Sequence, residues 1–131
     1  MKLGKLQTIS RMQLKLALLT EQNFCGILVC PLCMNIIHEI PDMHEALITK
    51  GDVSGHPLGY LINDKHNCVL VHHKCHMSII GHGSEEQYKN CAIQLTNFNI
   101  DMSEWFEMME ENFKIVATHA KRRYISTMEN L

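Results

Sequence analysis

Asn67-Cys68-Val69-Leu70-Val71-His72-His73-Lys74-Cys75-His76 packs an amide, three histidines and two thiols into ten consecutive residues. Its first half is apolar and partly β-branched, the composition of a buried strand. Its second half is dense in metal-ligand side chains. The change of character in mid-stretch predicts a strand over 68–71 that runs into a ligand-bearing turn. A short helix is expected to follow through 77–80 and to stop at Gly81.

The partner of this stretch lies upstream, in Cys30-Pro31-Leu32-Cys33. That pair sets two thiols on a tight turn where both reach one ion, and His72-x-x-Cys75 offers a second pair at the same spacing. Zinc favours four tetrahedral nitrogen or sulfur donors, and Cys30, Cys33, His72 and Cys75 supply a Cys3His set for a structural Zn2+. His73 competes for the imidazole position, although His73-x-Cys75 is a poorer chelating step. A redox Cys-x-x-Cys is the alternative for the first pair. It needs a helix beginning at the motif in a thioredoxin-like βαβ context; Pro31 fits the spacing, but the surrounding pattern does not. Six cysteines without a secretion signal point to a reducing compartment. Cys25, Cys68 and Cys91 read as ordinary buried small residues. A zinc site of this size is expected to couple binding to folding.

The 131 residues fit one domain with a real core. Residues 1–24 read as a helical N-terminal arm, 25–82 as the centre and 83–131 as C-terminal helices. No apolar run is long enough to span a bilayer, and residues 1–6 lack the apolar core of a signal peptide. A cytoplasmic protein with no membrane partner is the expectation. The net charge of −2 excludes a wholly basic surface but not a local basic face. Two such faces exist: Lys2, Lys5, Arg11 and Lys15 near the start, and Lys121-Arg122-Arg123-Tyr124 near the end. Each is as readily a solvated helix surface.

Ser10 and Gln13 have capping-box spacing, which predicts a helix over 10–21. Its two apolar stripes are Leu14, Ala17 and Leu18, and Met12, Leu16 and Leu19. Residues 24–29 suit a strand or extended segment. Pro41 interrupts the apolar 35–40, so a strand over 42–49 is expected to start after it. Turn chemistry makes 50–66 a long loop with an apolar patch at 58–62, and such loops inside a compact domain are usually functional. Ser84 and Gln87 open another helix, with Tyr88, Cys91, Ala92 and Leu95 on one face. Asp101 and Glu104 open the last one, with Trp105, Phe106, Met109, Phe113, Val116 and Ala120 packed into the core. The class expected is α+β.

With the zinc ligands assigned, three features remain. His44 stands on the first strand between Asp42 and Glu45, Asn67 opens the second, and His76 follows the last zinc ligand. His38, His56, His66, His82 and His119 read as structural or solvent-facing. Taken in order, the Cys30/Cys33 pair, His44-Glu45, Asn67, Leu70 and His72-x-x-Cys75-His76 resemble the HNH, or ββα-metal (His-Me finger), endonucleases. The resemblance spans residues 30–80, well under half of the chain.

The resemblance implies a small ββα-metal core with a zinc knuckle, flanked by helices. It also implies hydrolysis of phosphodiester bonds in DNA, most often double-stranded, with Mg2+ or Mn2+ at the phosphate, and a phage or bacterial origin. Such chemistry needs an activated water and a cation that neutralises charge on the phosphate and the leaving oxygen. A neutral imidazole is a suitable base near neutral pH. In the family, an adjacent pair on the first strand gives the base and a metal ligand, the Asn holds the base or binds the metal, and a helix histidine completes the ion site. That makes His44, Glu45, Asn67 and His76 the implied catalytic set, and Asp42, His44 and His76 the implied cation set.

This chain departs from the family's usual Asp-His or His-His pair. If His44 is the base, Met43 fills the ligand slot and is a poor donor to a hard cation. If His44 is the ligand, Glu45 becomes the base. Asp42 shares a strand face with His44 and is a further candidate ligand. His44 with Glu45 is the favoured working pair. The rival expectations are a non-catalytic zinc-stabilised module that binds DNA or protein, and a thiol redox protein.

Overall fold

A computed structural model of the chain describes residues 10–131. Lys2 and Lys5 of the expected basic face, and the segment read as lacking a signal peptide, lie outside them. Ser10 and Gln13 form the expected capping box, each backbone amide donating to the other's side chain at 3.0 Å. The helix they open, α1, runs Arg11–Glu21. Its face is narrower than expected. Leu14 and Leu18 are buried, but Met12, Leu16 and Ala17 are exposed, because the core meets the helix along one i, i+4 stripe.

The chain leaves α1 through Gln22, whose side chain is buried. Gln22 Oε1 accepts from the Leu70 amide at 2.7 Å, and Nε2 donates to the Leu70 carbonyl at 2.7 Å and the Val29 carbonyl at 3.2 Å. One side-chain amide thereby serves backbone groups that a neighbouring strand would otherwise have to pair.

Two tight turns follow where one extended segment was expected over 24–29. Phe24 and Ile27 bond each other's backbone in both directions, at 2.8 and 2.9 Å. Between them Cys25 and Gly26 have φ of 52° and 81°, the double positive φ of a two-residue hairpin turn. Cys25 is thus exposed at a turn tip and is not the buried small residue expected. The second hairpin carries the cysteine pair. Ile37 donates to Leu28 at 2.7 Å, Cys30 to Asn35 at 2.9 Å and Met34 to Cys30 at 2.7 Å, with Met34 at φ 62° closing the turn.

Strand β1 is Asp42–Glu45 and β2 is Cys68–Val71. They pair antiparallel with Asp42 opposite Val71 and Glu45 opposite Cys68. β1 ends before residue 49 because the Leu47 and Ile48 amides leave the ladder for the Asn67 side chain, at 3.1 and 2.9 Å. Every β2 residue is buried. The loop over 50–66 is present, with a short 3-10 turn at Gly59–Ile62. His66 anchors its end. Nδ1 meets the Asp64 carboxylate, Nε2 lies 2.8 Å from Asp101 Oδ1, and the ring stacks on Trp105 at 6.0 Å and 8°. Burial disfavours charge on His66, but the two carboxylates outweigh it and raise its pKa above the ordinary histidine value.

Helix α2 is His73–Ser78 and stops short of Ile79 and Ile80, which were expected within it. The Ser84/Gln87 capping box forms and α3 runs Glu85–Phe98, burying Tyr88, Cys91, Ala92 and Leu95. The single last helix expected is two: α4, Met102–Asn112, and α5, Lys114–Glu129, broken at Phe113 with φ −136° and ψ 60°. The break lets α5 fold back on α4, so Trp105, Met109, Phe113 and Ala117 are all buried. The Asp101/Glu104 capping box does not form; the Asp101 carboxylate is committed to His66 instead. The class is α+β, a two-stranded antiparallel sheet with five α-helices among the described residues. Buried side chains from Leu14 to Tyr124 form one cluster. Among the described residues, no helix is long and apolar enough to cross a membrane.

Candidate functional site

The site grows out of α2 and its N-cap, His72. Each residue of a helix is rotated by about 100° from the last, so positions three apart share a stripe and adjacent positions do not. His72 and Cys75 therefore face one way, and His73 and His76 face the next stripe round. The interleaving of two ligand pairs in the sequence becomes two separate clusters in space.

The first cluster is Cys30, Cys33, His72 and Cys75, whose donor atoms all lie within 4.8 Å of one another. His72 Nδ1 lies 3.2 Å from Cys33 Sγ and 3.8 Å from Cys75 Sγ. Around a tetrahedral zinc, nitrogen and sulfur donors stand about 3.6 Å apart, so the spacing fits. His72 Nε2 donates to the Ile36 carbonyl at 3.1 Å, which leaves Nδ1 as the free donor, the usual outer support of a metal-bound histidine. The His72 amide also donates to Cys30 Sγ at 3.3 Å.

Crowded thiols cannot all ionise alone. Burial pushes the Cys75 thiol up to about 12, helped by Cys33 and Cys30. Burial also acts on Cys33, but hydrogen bonds from the Asn35 amide, then Cys75 and Cys30, hold it below the ordinary thiol value. The Cys3His cluster could hold a structural metal ion such as zinc.

The second cluster joins β1 to the next stripe of α2. Asp42 Oδ2 lies 2.8 Å from His73 Nδ1 and 3.1 Å from His76 Nδ1. The rings of His44 and His76 meet at 5.4 Å, edge to face. Asp42 and His44 share this face because they are two apart on a strand. Burial resists charge on Asp42, but hydrogen bonds and attraction from His73 and His76 hold its carboxyl below the ordinary range. His44 is 5 % exposed. Burial, then the nearby His76 and His82, pushes its pKa down to about 4. Its ring is therefore neutral at neutral pH, and among the described residues no hydrogen bond claims its nitrogens. An open pocket of about 400 Å3 adjoins this cluster, lined by Asp42, Met43 and His76 with Arg11, Met12 and Lys15 of α1.

Two expected members are placed elsewhere. Glu45 is one position out of phase with His44. Its Oε1 accepts from the Lys50 amide at 3.2 Å, and Oε2 lies 3.7 Å from Arg11. Asn67 is fully buried. Its Oδ1 accepts from Leu47 and Ile48, and its Nδ2 donates to the Ile48 and Ile62 carbonyls at 2.8 and 3.0 Å. Those four bonds saturate the amide, so Asn67 shapes the loop between the strands and has nothing left for an ion.

His73, the rival for the zinc imidazole, is exposed and lies with Asp42 instead; its i, i+3 relation to His76 is the signal in the sequence. Of the C-terminal basic run, Lys121 pairs with Glu110 at 3.0 Å, and Arg123 covers the Tyr88 ring at 4.0 Å. That run is largely structural, whereas Arg11 and Lys15 stand beside the histidine cluster.

No protein-family model, curated protein or solved structure matches the chain. The resemblance noted above therefore rests on this chain's own residues.

Proposed function

We propose that the chain is a metal-dependent HNH endonuclease that hydrolyses phosphodiester bonds of DNA, with β1, β2 and α2 as its ββα-metal core. The observation that carries this reading is the meeting of Asp42, His44 and His76 on one side of a strand–strand–helix unit whose helix is tied down by the Cys3His cluster. Asp42 Oδ2 and His76 Nδ1 are 3.1 Å apart. Asp42 and His76 would hold the divalent cation, Mg2+ or Mn2+, the carboxylate being the donor such hard ions favour. A divalent cation bound there supplies charge neutralisation at the phosphate and the leaving oxygen.

His44, neutral and with no hydrogen bond to its nitrogens among the described residues, takes the proton from the attacking water. Asp42 replaces Glu45 as its working partner, because Glu45 is turned to Arg11 and Lys50. Arg11 and Lys15 hold flanking phosphates, which gives affinity without sequence reading.

Plasmid nicking in Mg2+ or Mn2+ tests the reading. The wild type is expected to cleave, and His44→Ala to lose at least about 100-fold while keeping its zinc. Undiminished nicking by His44→Ala overturns the role of His44. No cleavage by the wild type with any divalent cation leaves a zinc-stabilised binding module.

A further inference from the structure

The loop over 50–66 builds a second pocket, of about 540 Å3, that the proposed hydrolysis does not use. We propose that this pocket receives one unpaired nucleotide of the DNA strand being cut. The identity of that strand rests on the nuclease reading; the pocket's chemistry does not.

Position is the first argument. Arg11 lines both this pocket and the one that opens on Asp42 and His76. A strand with its phosphate at Asp42 and His76 therefore reaches the second pocket by passing Arg11. The guanidinium is held on that divide, with Nη1 2.7 Å from Asn63 Oδ1 and 3.7 Å from Glu45 Oε2. A planar cation fixed between two pockets is suited to the connecting phosphate.

Size and lining are the second. Pockets that enclose a small ligand measure about 300–1,000 Å3, so one nucleoside fits. Tyr60 is 48 % exposed and lines the pocket. An aromatic ring beside a strand path offers a stacking face to any base. Glu45, Ser54 and Asn63 add acceptors and donors for a base edge. Arg11 and Lys50 line the wall beside the Glu45 carboxylate, so it offers cations to the nucleotide's phosphate as well as acceptors to its base edge.

The pocket is also built in advance. Asn67 Nδ2 holds the Ile62 carbonyl, and Thr49 and Asp52 bond each other's amides at 2.9 and 3.2 Å. At Gly59 a Cβ would come within 3.3 Å of the Val53 carbonyl, so the two loop segments approach closely because that residue has no side chain. Withdrawing a base from the stack costs least where it is already unpaired, so the pocket selects for unpaired sites.

Fluorescence anisotropy on the full, zinc-loaded chain tests this without added Mg2+ or Mn2+, so that no cleavage intervenes. The probes are a fully paired duplex and the same duplex with one unpaired nucleotide. The wild type is expected to bind the second about tenfold more tightly. Tyr60→Ala should erase the difference and Tyr60→Phe should keep it. Ser54→Leu, which fills the exposed rim without offering a stacking face, should erase it as well. Equal affinity of the wild type for both duplexes overturns the proposal, as does a preference that survives both Tyr60→Ala and Ser54→Leu. The nuclease reading fails separately: a preference for the unpaired duplex without cleavage in Mg2+ or Mn2+ removes that reading and leaves the pocket, whereas cleavage with equal affinities does the reverse.

Discussion

The two clusters on α2 use the same few residues of helix and differ in how they are closed. The Cys3His cluster brings four donors within 4.8 Å, with its histidine locked by the Ile36 carbonyl. The Asp42–His44–His73–His76 cluster has a buried imidazole behind it and an open pocket in front. Closed sets of four donors are the mark of structural zinc, and an open position is the mark of a site where something else must bind. One turn of helix can serve both because adjacent residues point along different stripes. Rigidity on one stripe fixes the orientation of the other.

Metal removal bears on this contrast most strongly. Structural zinc contributes about 10–16 kcal/mol of apparent binding free energy in small zinc domains, as large as the whole stability of an ordinary domain, about 5–15 kcal/mol. Chelation or Cys75→Ser is therefore expected to abolish the cooperative thermal transition, and elemental analysis should show zinc lost in step. His44→Ala should leave zinc content unchanged. A Cys75→Ser chain that melts like the wild type breaks the distinction between the clusters.

Asn67→Ala comes next. It leaves four backbone groups without their buried partner, at about 1–3 kcal/mol for each that water cannot reach. Chemical denaturation is expected to show a loss of several kcal/mol, with the zinc content retained. A loss confined to activity, with stability intact, would return Asn67 to the ion site.

Smaller in its effect on the fold, and sharper for the second cluster, is the pair Asp42→Asn and Glu45→Gln. Cleavage should fall at least about tenfold in the first and much less in the second, with thermal stability altered by about 1 kcal/mol or less for these partly exposed groups. The reverse order restores Glu45 as the working partner of His44.

The smallest expected effect is the pH dependence contributed by His66. Its folded pKa is raised, so its contribution to stability is complete below the unfolded value of about 6.5. It is lost as pH rises through the folded value. His66→Gln should flatten the fall in stability above that point, as measured by denaturation at a series of pH values. An unchanged slope means the Asp64–His66–Asp101 contact carries no net charge preference.

Much of this was legible along the chain. The four donors of the Cys3His cluster, which could hold a metal ion such as zinc, are legible from two pairs at x-x spacing, because such a pair reaches one ion whatever surrounds it. The Ser10 and Ser84 helix starts follow from capping boxes, which are local. Both strands of the sheet were placed, though β1 runs on to residue 49 in the sequence pattern and stops at Glu45 in the fold. Strand alternation makes Asp42 a face-mate of His44 in the sequence; that the Glu45 carboxylate turns to the Lys50 amide and Arg11 is not legible there. Asn67 enters the catalytic set only through the motif resemblance. What it bonds depends on where residues 47, 48 and 62 return.

Gln22, the turn at Cys25-Gly26 and the break at Phe113 carried no readable signal. Gln22 matters only because Leu70 arrives beside it. Phe113 continues a helical pattern that the chain abandons to pack α5 on α4, and Asp101 gives up its cap because His66 offers a closer partner.

The sequence by itself determined what depends on neighbours a few positions away: the donor pairs, the helix starts, the alternation of β1 and the apolar run of β2. Only the tertiary structure decided which of those donors face one another. Contacts such as Gln22 with Leu70 and His66 with Asp101 span long stretches of chain, and their energy depends on burial and approach that no local pattern encodes. The ten residues from Asn67 to His76 contain both kinds of information. Helical spacing separates their ligands into two stripes, and the return of β1 and of the Cys30 hairpin assigns each stripe its partners.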